Sequence, residues 1–541
     1  MEEGSKLTQQ SAAKGFAVLT ASMLLVKVLS LLYVPVLRGI LGKTGLGVYY
    51  SAYSIFSFVY VLANAGIPVA ISKMVAELDA LGNYKDSLKT FKIARSMLAV
   101  FGLFISLVMF ILAGPLSRNL ESSGSTLAIQ ALCPTIFITA VLCSYKGYFQ
   151  GKSNMTPTAI SQVVEQVFNI VFSLLFAYIL ISFGDSYGAA GGTVGTTLGA
   201  LAAALYLIYA YNKNKRFNIP KVSNNLEVKR LSNEQIFNRI VAYAVPITIG
   251  VALQNSGMIV DLKIVKSRLL VAGYSSNIVE ELWGVLSQYN TLVSVPMAII
   301  GSLSISILTI ISRHNAIKDK KALKSSVNST YRVTYMIAAP CAFGLAALSS
   351  QILTLIGYDI QAAPLFTYGP LVIILTGLSL VQTSILQGLG KVKMVTVYSL
   401  IGLLGKIVVN YIFVAIPSVN ILGAVIGNGI GFLIMVLLSQ RLINNTLKIK
   451  IKLLKPSIKP IVASVSMWIV TALTYKIFYM IFSVILSGYM LNAICTLISV
   501  VVAAIVYIVV LFSIGGVRRK DLNSLPQKLV RLIPRKLLSK I

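Results

Sequence analysis

Apolar runs of about 20 residues recur fourteen times along this 541-residue chain, and no other feature narrows its fold so far. A helix rises about 1.5 Å per residue, so a run of that length spans the roughly 30 Å of a bilayer's hydrocarbon. The runs cover approximately 15–38, 46–72, 91–114, 126–149, 156–182, 187–211, 239–261, 283–311, 329–350, 365–388, 394–415, 419–442, 457–482 and 489–514. Charges or Gly and Pro punctuate them, and Arg38 and Lys43 separate the first two across a tight, Gly-rich turn. Composition agrees, since 56% of residues are hydrophobic and only 12% charged, far from the balance of a water-soluble domain. The chain is therefore expected to be an all-α integral membrane protein with 14 transmembrane helices.

A formal net charge of +31 raises the question of nucleic acid. The basic residues form short clusters between apolar runs rather than one surface, so no nucleic-acid partner is expected. Cys133, Cys143, Cys341 and Cys495 stand apart in or beside apolar runs, with no CxxC or Cys/His spacing. They are expected to be core thiols, and no metal site is expected. The first run is too long for a signal-peptide core and lacks a small-residue cleavage site, so no cleavable leader is expected.

Orientation follows from where Lys and Arg collect, because cytoplasmic loops retain them. Basic clusters follow the sixth run (Lys213, Lys215, Arg216, Lys221), the eighth (Arg313, Lys318, Lys320, Lys321) and the twelfth (Arg441, Lys448, Lys450, Lys452). The C-terminal tail is basic too, whereas the connections near 182–187, 350–364 and 415–419 contain no Lys or Arg. Both termini are thus expected in the cytoplasm. The 262–282 loop, expected outside, mixes Lys263, Lys266 and Arg268 with Asp261, Glu280 and Glu281.

The chain also repeats itself about 235 residues along. "CPTIFITAVLCSYKGYFQGKSNM" at 133–155 aligns with "GPLVIILTGLSLVQTSILQGLGKVKM" at 369–394, and "GGTVGTTLG" at 191–199 with "GAVIGNGIG" at 423–431. Gly191, Gly195 and Gly199 therefore correspond to Gly423, Gly427 and Gly431, each trio on one helix face where a neighbouring helix can come close. Six spans per repeat preserve chain direction, so the repeats are expected to be parallel. The expected plan is an N-terminal lobe at 1–211, a basic cytoplasmic linker at 212–238 and a C-terminal lobe at 239–443. Two extra helices at 444–515 and a basic cytoplasmic tail at 516–541 complete it. The tail is suited to anionic membrane lipid, or simply to water.

Ionisable groups deep in a bilayer are costly and usually face a cavity or each other. Lys27, Glu165 and Lys406 lie about 10–12 residues into their runs, roughly 15–18 Å deep. "EQVFN" at 165–169 matches "KIVVN" at 406–410, so Glu165 and Lys406 are counterparts of opposite sign. Two readings stay open. The charges pair with each other, or the lysines meet an anionic substrate group while Glu165 pairs with a lysine or binds a coupling cation. Asn64, Asn169, Asn255 and Asn410 are candidate polar companions, in a wet cavity or as interhelical glue. The chain has no Ser/His/Asp arrangement, P-loop or paired carboxylates, so no catalytic residue is assigned. With no nucleotide site, uphill transport would draw on an ion gradient or the membrane potential. Na+ or H+ is the candidate coupling ion, and no other cofactor is expected.

"GVYYSAYSIFSFVYVLANAGIPVAISKMVAE" at 47–77 and "YKGYFQGKSNMTPTAISQVVEQ" at 145–166 closely resemble the stage V sporulation protein B group of polysaccharide transporters. That group is part of the multidrug/oligosaccharidyl-lipid/polysaccharide (MOP) exporter superfamily, with the MurJ lipid II flippases. The resemblance covers essentially the whole chain. It implies a V-shaped, two-lobed transporter in the bacterial cytoplasmic membrane that moves a lipid-linked sugar precursor by alternating access. In the MurJ branch a cationic cavity receives a diphosphate, and one of its first-helix arginines matches Lys27 in "VKVLSLLYVPVLRGILG". This chain departs from that branch at Tyr33 and Val34, and Arg38 either contributes instead or snorkels to the interface.

A flippase for an undecaprenyl-linked peptidoglycan or polysaccharide precursor is thus the leading expectation. A drug/cation antiporter of the same superfamily and a non-transporting scaffold for cell-wall synthesis are the alternatives. The expected partners are a lipid-linked oligosaccharide and anionic membrane lipids, with cell-wall synthesis enzymes as candidate protein partners and the chain itself a monomer.

Overall fold

The computed structural model describes residues 12–517 apart from Ala65, Leu81, Ser153, 215–229, 317–318, 449–450 and Ile485. Most of the basic linker and nearly all of the basic tail expected above lie outside the described residues. Every regular element among the described residues is helical.

The first helix, α1 (Ala12–Asn64), is two helices merged across Gly42, whose φ of 69° and ψ of −173° lie where only glycine sits without strain. The chain thus turns at the Gly-rich join between its first two apolar runs. Next come α2 (Gly66–Ala80), α3 (Tyr84–Asn119), α4 (Thr126–Gly151), α5 (Thr156–Leu180) and α6 (Asp185–Asn214). The long helices α7 (Asn233–Val271) and α8 (Ser276–Ala316) follow, then α9 (Lys320–Ala347), α10 (Ser349–Ile356), α11 (Ala363–Tyr368) and α12 (Pro370–Gly388). The last four are α13 (Val392–Phe413), α14 (Leu422–Leu447), α15 (Ile458–Phe482) and α16 (Gly488–Ser513). Local chemistry sets several starts. Asn83 accepts the Asp86 amide at the head of α3, and Ser232 and Gln235 form a reciprocal capping box on α7.

Ten helical stretches among the described residues are long and apolar enough to cross a membrane, or eleven if α9 and α10, bent by 85° at their join, count as one span. The first of the ten extends from Ala21 to Asp79, 59 residues, which at about 1.5 Å each exceeds two bilayer thicknesses and takes in the bend at Gly42. The protein is a multi-pass membrane protein.

The chain divides into two compact units, residues up to Gly284 and residues from Val285 onward, so the boundary falls inside α8. In the first unit α5 and α6 pack along most of their length, α4 lies against α3 and α6, and α7 packs on α1, α2 and α3. Its core carries an aromatic knot in which Phe91 stands 4.9–5.0 Å from the rings of Tyr145, Tyr148 and Tyr211. One face of α3 stays bare, with Val100, Phe104, Leu107 and Ile111 exposed at helical spacing, as a lipid-facing helix requires. In the second unit α13 packs on α14, α12 on α9 and α14, and α15 on α9 and α16.

Candidate substrate site and its supporting helices

Glu165 sits in α5, and its partner within its own unit is a residue that the sequence did not single out. Lys146 Nζ of α4 lies 3.3 Å from Glu165 Oε2, with the two side chains 14% and 31% exposed. Lys146 belongs to the motif "YKGYFQGK", but it lies only five residues before the end of α4, where a basic residue looks like an ordinary membrane-edge lysine. Two signals could have found it. It still lies inside the apolar run, and the short α4–α5 connection brings the ends of the two helices together. Both side chains keep partial exposure, so the pair is less enclosed than a fully buried one.

One helical turn beyond Glu165, Asn169 anchors a hydroxyl network. Its Oδ1 accepts from Ser173 Oγ at 2.8 Å and from Thr196 Oγ1 at 3.3 Å, and Ser173 also donates to the Gly192 carbonyl. Tyr53 of α1 joins by a hydroxyl contact with Thr196, and Tyr49 lies 4.7 Å from the Tyr53 ring. This network forms because α6 presents glycine to α5. A methyl group on Gly191 would strike the Phe176 carbonyl oxygen, one on Gly195 the Ser173 backbone, and one on Gly199 the Glu165 carbonyl oxygen. The backbone carrying Glu165 is thus pressed directly against α6.

Lys27 and Arg38 lie on the first half of α1, the lysine exposed and the arginine half-buried. Ser22 Oγ donates to Gln162 Oε1 at 3.2 Å, and farther along Gly45 lies close to Asp185, so this part of α1 runs parallel to α5. Counting from the Ser22–Gln162 contact, Lys27 is about 7.5 Å along and Glu165 about 4.5 Å, which puts them at similar depth. Tyr33 and Val34, where the chain departs from the MurJ pattern, are both buried, and Tyr33 contacts the Tyr49 hydroxyl at 3.4 Å. Asn64 is buried and donates to the Tyr60 carbonyl and, at 3.3 Å, to Thr139 Oγ1, tying α1 to α4. Asn255 lies on α7, but its side chain is outside the described set.

The second unit repeats the support with the charge reversed. Lys406 is half-buried on α13 and Asn410, one turn on, is fully buried. A methyl on Gly427 of α14 would strike Asn410 Oδ1. One on Gly431 would meet the Gly402 carbonyl at 2.8 Å and Lys406 Cβ at 3.0 Å, and one on Gly423 the Phe413 and Val414 backbone at 2.8 Å. In each unit, then, a glycine-faced helix holds the helix that carries the deep charge.

A second ion pair in the first unit has a different character. Lys266 Nζ is fully buried, 2.6 Å from both Glu280 Oε1 and Ser51 Oγ. Ser122 Oγ also donates to Glu280 at 2.9 Å, and Gly47 lies so close that a methyl there would collide with the Glu280 carbonyl. These contacts fasten the α7–α8 turn to the second half of α1. Breaking a buried pair leaves a desolvated charge, at a cost of about 3–5 kcal/mol, so this one is a fixed clamp.

This bundle of long apolar helices is similar in fold to solved transporters of the MOP superfamily. Among solved structures, "Lipid II flippase MurJ, inward closed conformation" matches with a TM-score of 0.65 at 15% identity, over 91% of this chain and 98% of that one. An inward-facing multidrug resistance MATE family transporter of the MOP superfamily matches with a TM-score of 0.61 at 16% identity, over 78% of this chain and 95% of that one. Residues 12–254 match the family described as "Polysaccharide biosynthesis protein", and residues 246–412 match the MatE family. Homologues include the lipid II flippase MurJ and stage V sporulation protein B of Bacillus subtilis (strain 168). The first is 25% identical over 440 residues, 78% of this chain and 80% of that protein. The second is 25% identical over 451 residues, 83% of this chain and 86% of that protein. A lipid II flippase is thus among both the homologues and the solved structures, and a multidrug transporter is among the latter.

Proposed function

We propose that this protein is a flippase that carries an undecaprenyl-diphosphate-linked peptidoglycan or polysaccharide precursor across the cytoplasmic membrane by alternating access. The observation that carries this reading is the partly exposed pair of Lys146 and Glu165, at a depth similar to that of the exposed Lys27, in a chain whose homologues include a lipid II flippase. A diphosphate entering between two lysines can take over Lys146 from Glu165. The released carboxylate then has a proton or Na+ as its natural partner, which would couple passage to an ion gradient or the membrane potential. Lys406 supplies a second cationic position on α13, with the buried Asn410 packed one turn on. The fourteen-helix plan in two parallel repeats, with both termini cytoplasmic, belongs to the same reading and is supported by the internal repeat and the placement of Lys and Arg.

The test is reconstitution of the full chain in proteoliposomes with labelled lipid II and, separately, with a cationic dye. Lipid II should cross and the dye should not, and Lys27→Gln and Lys406→Gln should each slow lipid II about tenfold or more, the loss of one charge-assisted contact. Transport of the dye alone would favour the drug/cation antiporter. Transport of neither, with normal cell-wall growth in charge-removing variants, would favour a scaffold.

A further inference from the structure

The sequence marks 212–238 as the linker between lobes and 239 as the start of the second, yet the leading part of α7 is built into the first unit. Three kinds of contact hold it there. Just before α7, Leu231 is gripped by both of its backbone groups: its amide donates to Asp86 Oδ2 at 2.8 Å, and its carbonyl accepts from Lys89 Nζ at 2.9 Å. Asp86 and Lys89 stand one turn apart at the head of α3, and the Asp86 carboxylate, only 3% exposed, also accepts from Asn83 Nδ2 at 2.8 Å. Farther on, Ile236 and Ile240 are fully buried in a core shared with Ile71 and Met74 of α2 and Phe91 of α3. Beyond them, a methyl on Gly66, the first residue of α2, would strike the Ala244 carbonyl oxygen, so α2 and α7 meet there across a glycine.

The far end of the linker is thus tied to α3, and its near end leaves α6 at Asn214 in the same unit. Lifting α7 away would take the Leu231 amide from a buried carboxylate and open the core around Ile236 and Ile240 in one step. We propose that residues 231–244 travel with α2 and α3 as a fixed part of the first unit through the whole transport cycle. The basic linker is then not the joint on which the lobes move. This inference rests on the alternating-access reading above, and its test keeps the two apart.

Glu77 of α2 and Arg239 of α7, partly exposed and 3.4 Å apart, offer a place to lock the two helices together. With Glu77→Cys and Arg239→Cys in the full chain, a short bismaleimide joins them. In proteoliposomes the joined protein should carry labelled lipid II at no less than half the rate of the same variant left unjoined. A larger loss on joining, absent from either single-cysteine variant given the same reagent, overturns the proposal. If the unsubstituted chain moves no lipid II, the flippase reading fails, and hydrogen exchange read by mass spectrometry decides this inference by itself. The amides of residues 231–235 should exchange at least fivefold more slowly in the unsubstituted chain than in Asp86→Ala or, should that variant not fold, in Lys89→Met. Equal exchange overturns the proposal.

Discussion

Two ion pairs in the first unit differ in burial, and burial decides what each can do. Lys146 and Glu165 keep more exposure than Lys266 and Glu280, so Lys146→Ala should cost less stability in thermal unfolding than Glu280→Ala. Transport should respond far more strongly. Glu165→Gln, which removes the competitor for Lys146, should lower the KM for the lipid-linked substrate, whereas Lys146→Gln should raise it. A stability loss of about 3 kcal/mol or more from Lys146→Ala would instead make the pair a structural fastening. The sequence made Glu165 legible because a carboxylate within an apolar run stands out against its neighbours. Lys146 was not legible in the same way, since a lysine near the end of a span is cheap wherever its stem can reach the interface. Asn64 and Asn169 show another limit. Sequence places them at the right depth, but only packing shows that Asn64 ties α1 to α4 while Asn169 collects the hydroxyls of α5 and α6.

At the scale of elements, close approach by glycine and one buried pair hold the helices in place. The α7–α8 turn is fastened to α1 through Lys266, Glu280, Ser51 and Gly47. Glu280→Ala should destabilise the protein by about 3–5 kcal/mol and Gly47→Ala by about 1–3 kcal/mol, both read as lowered melting temperature in detergent. A Glu280→Ala variant as stable as the parent would show that Lys266 finds water when its partner is gone. Long apolar runs and their Gly-rich breaks were legible, and the bend at Gly42 falls where Arg38 and Lys43 divide the first two runs. The mixed charges at 262–282 also stood out against the basic clusters elsewhere. Their role did not, because a Lys–Glu pair 14 residues apart looks the same in sequence whether it is solvated in a loop or sealed beneath a helix.

For the molecule as a whole, the two glycine-rich stretches are alike in packing as well as in sequence. Each unit sets a glycine face against the backbone of a charge-bearing helix, α6 on α5 and α14 on α13, while the charge itself changes sign from Glu165 to Lys406. Where glycine lets two helices approach this closely there is little side chain to repack, so neither pair has a second comfortable register. A spectroscopist can use that. Spin labels at the exposed positions Tyr178 and Leu205, one on each helix of the first pair, should give the same narrow distance distribution with lipid II, without it, and across a pH jump. Broadening or a shift of several ångströms would mean that the two helices slide. If the distance holds, α5 and α6 serve as an internal ruler against which every other displacement in the working cycle can be measured.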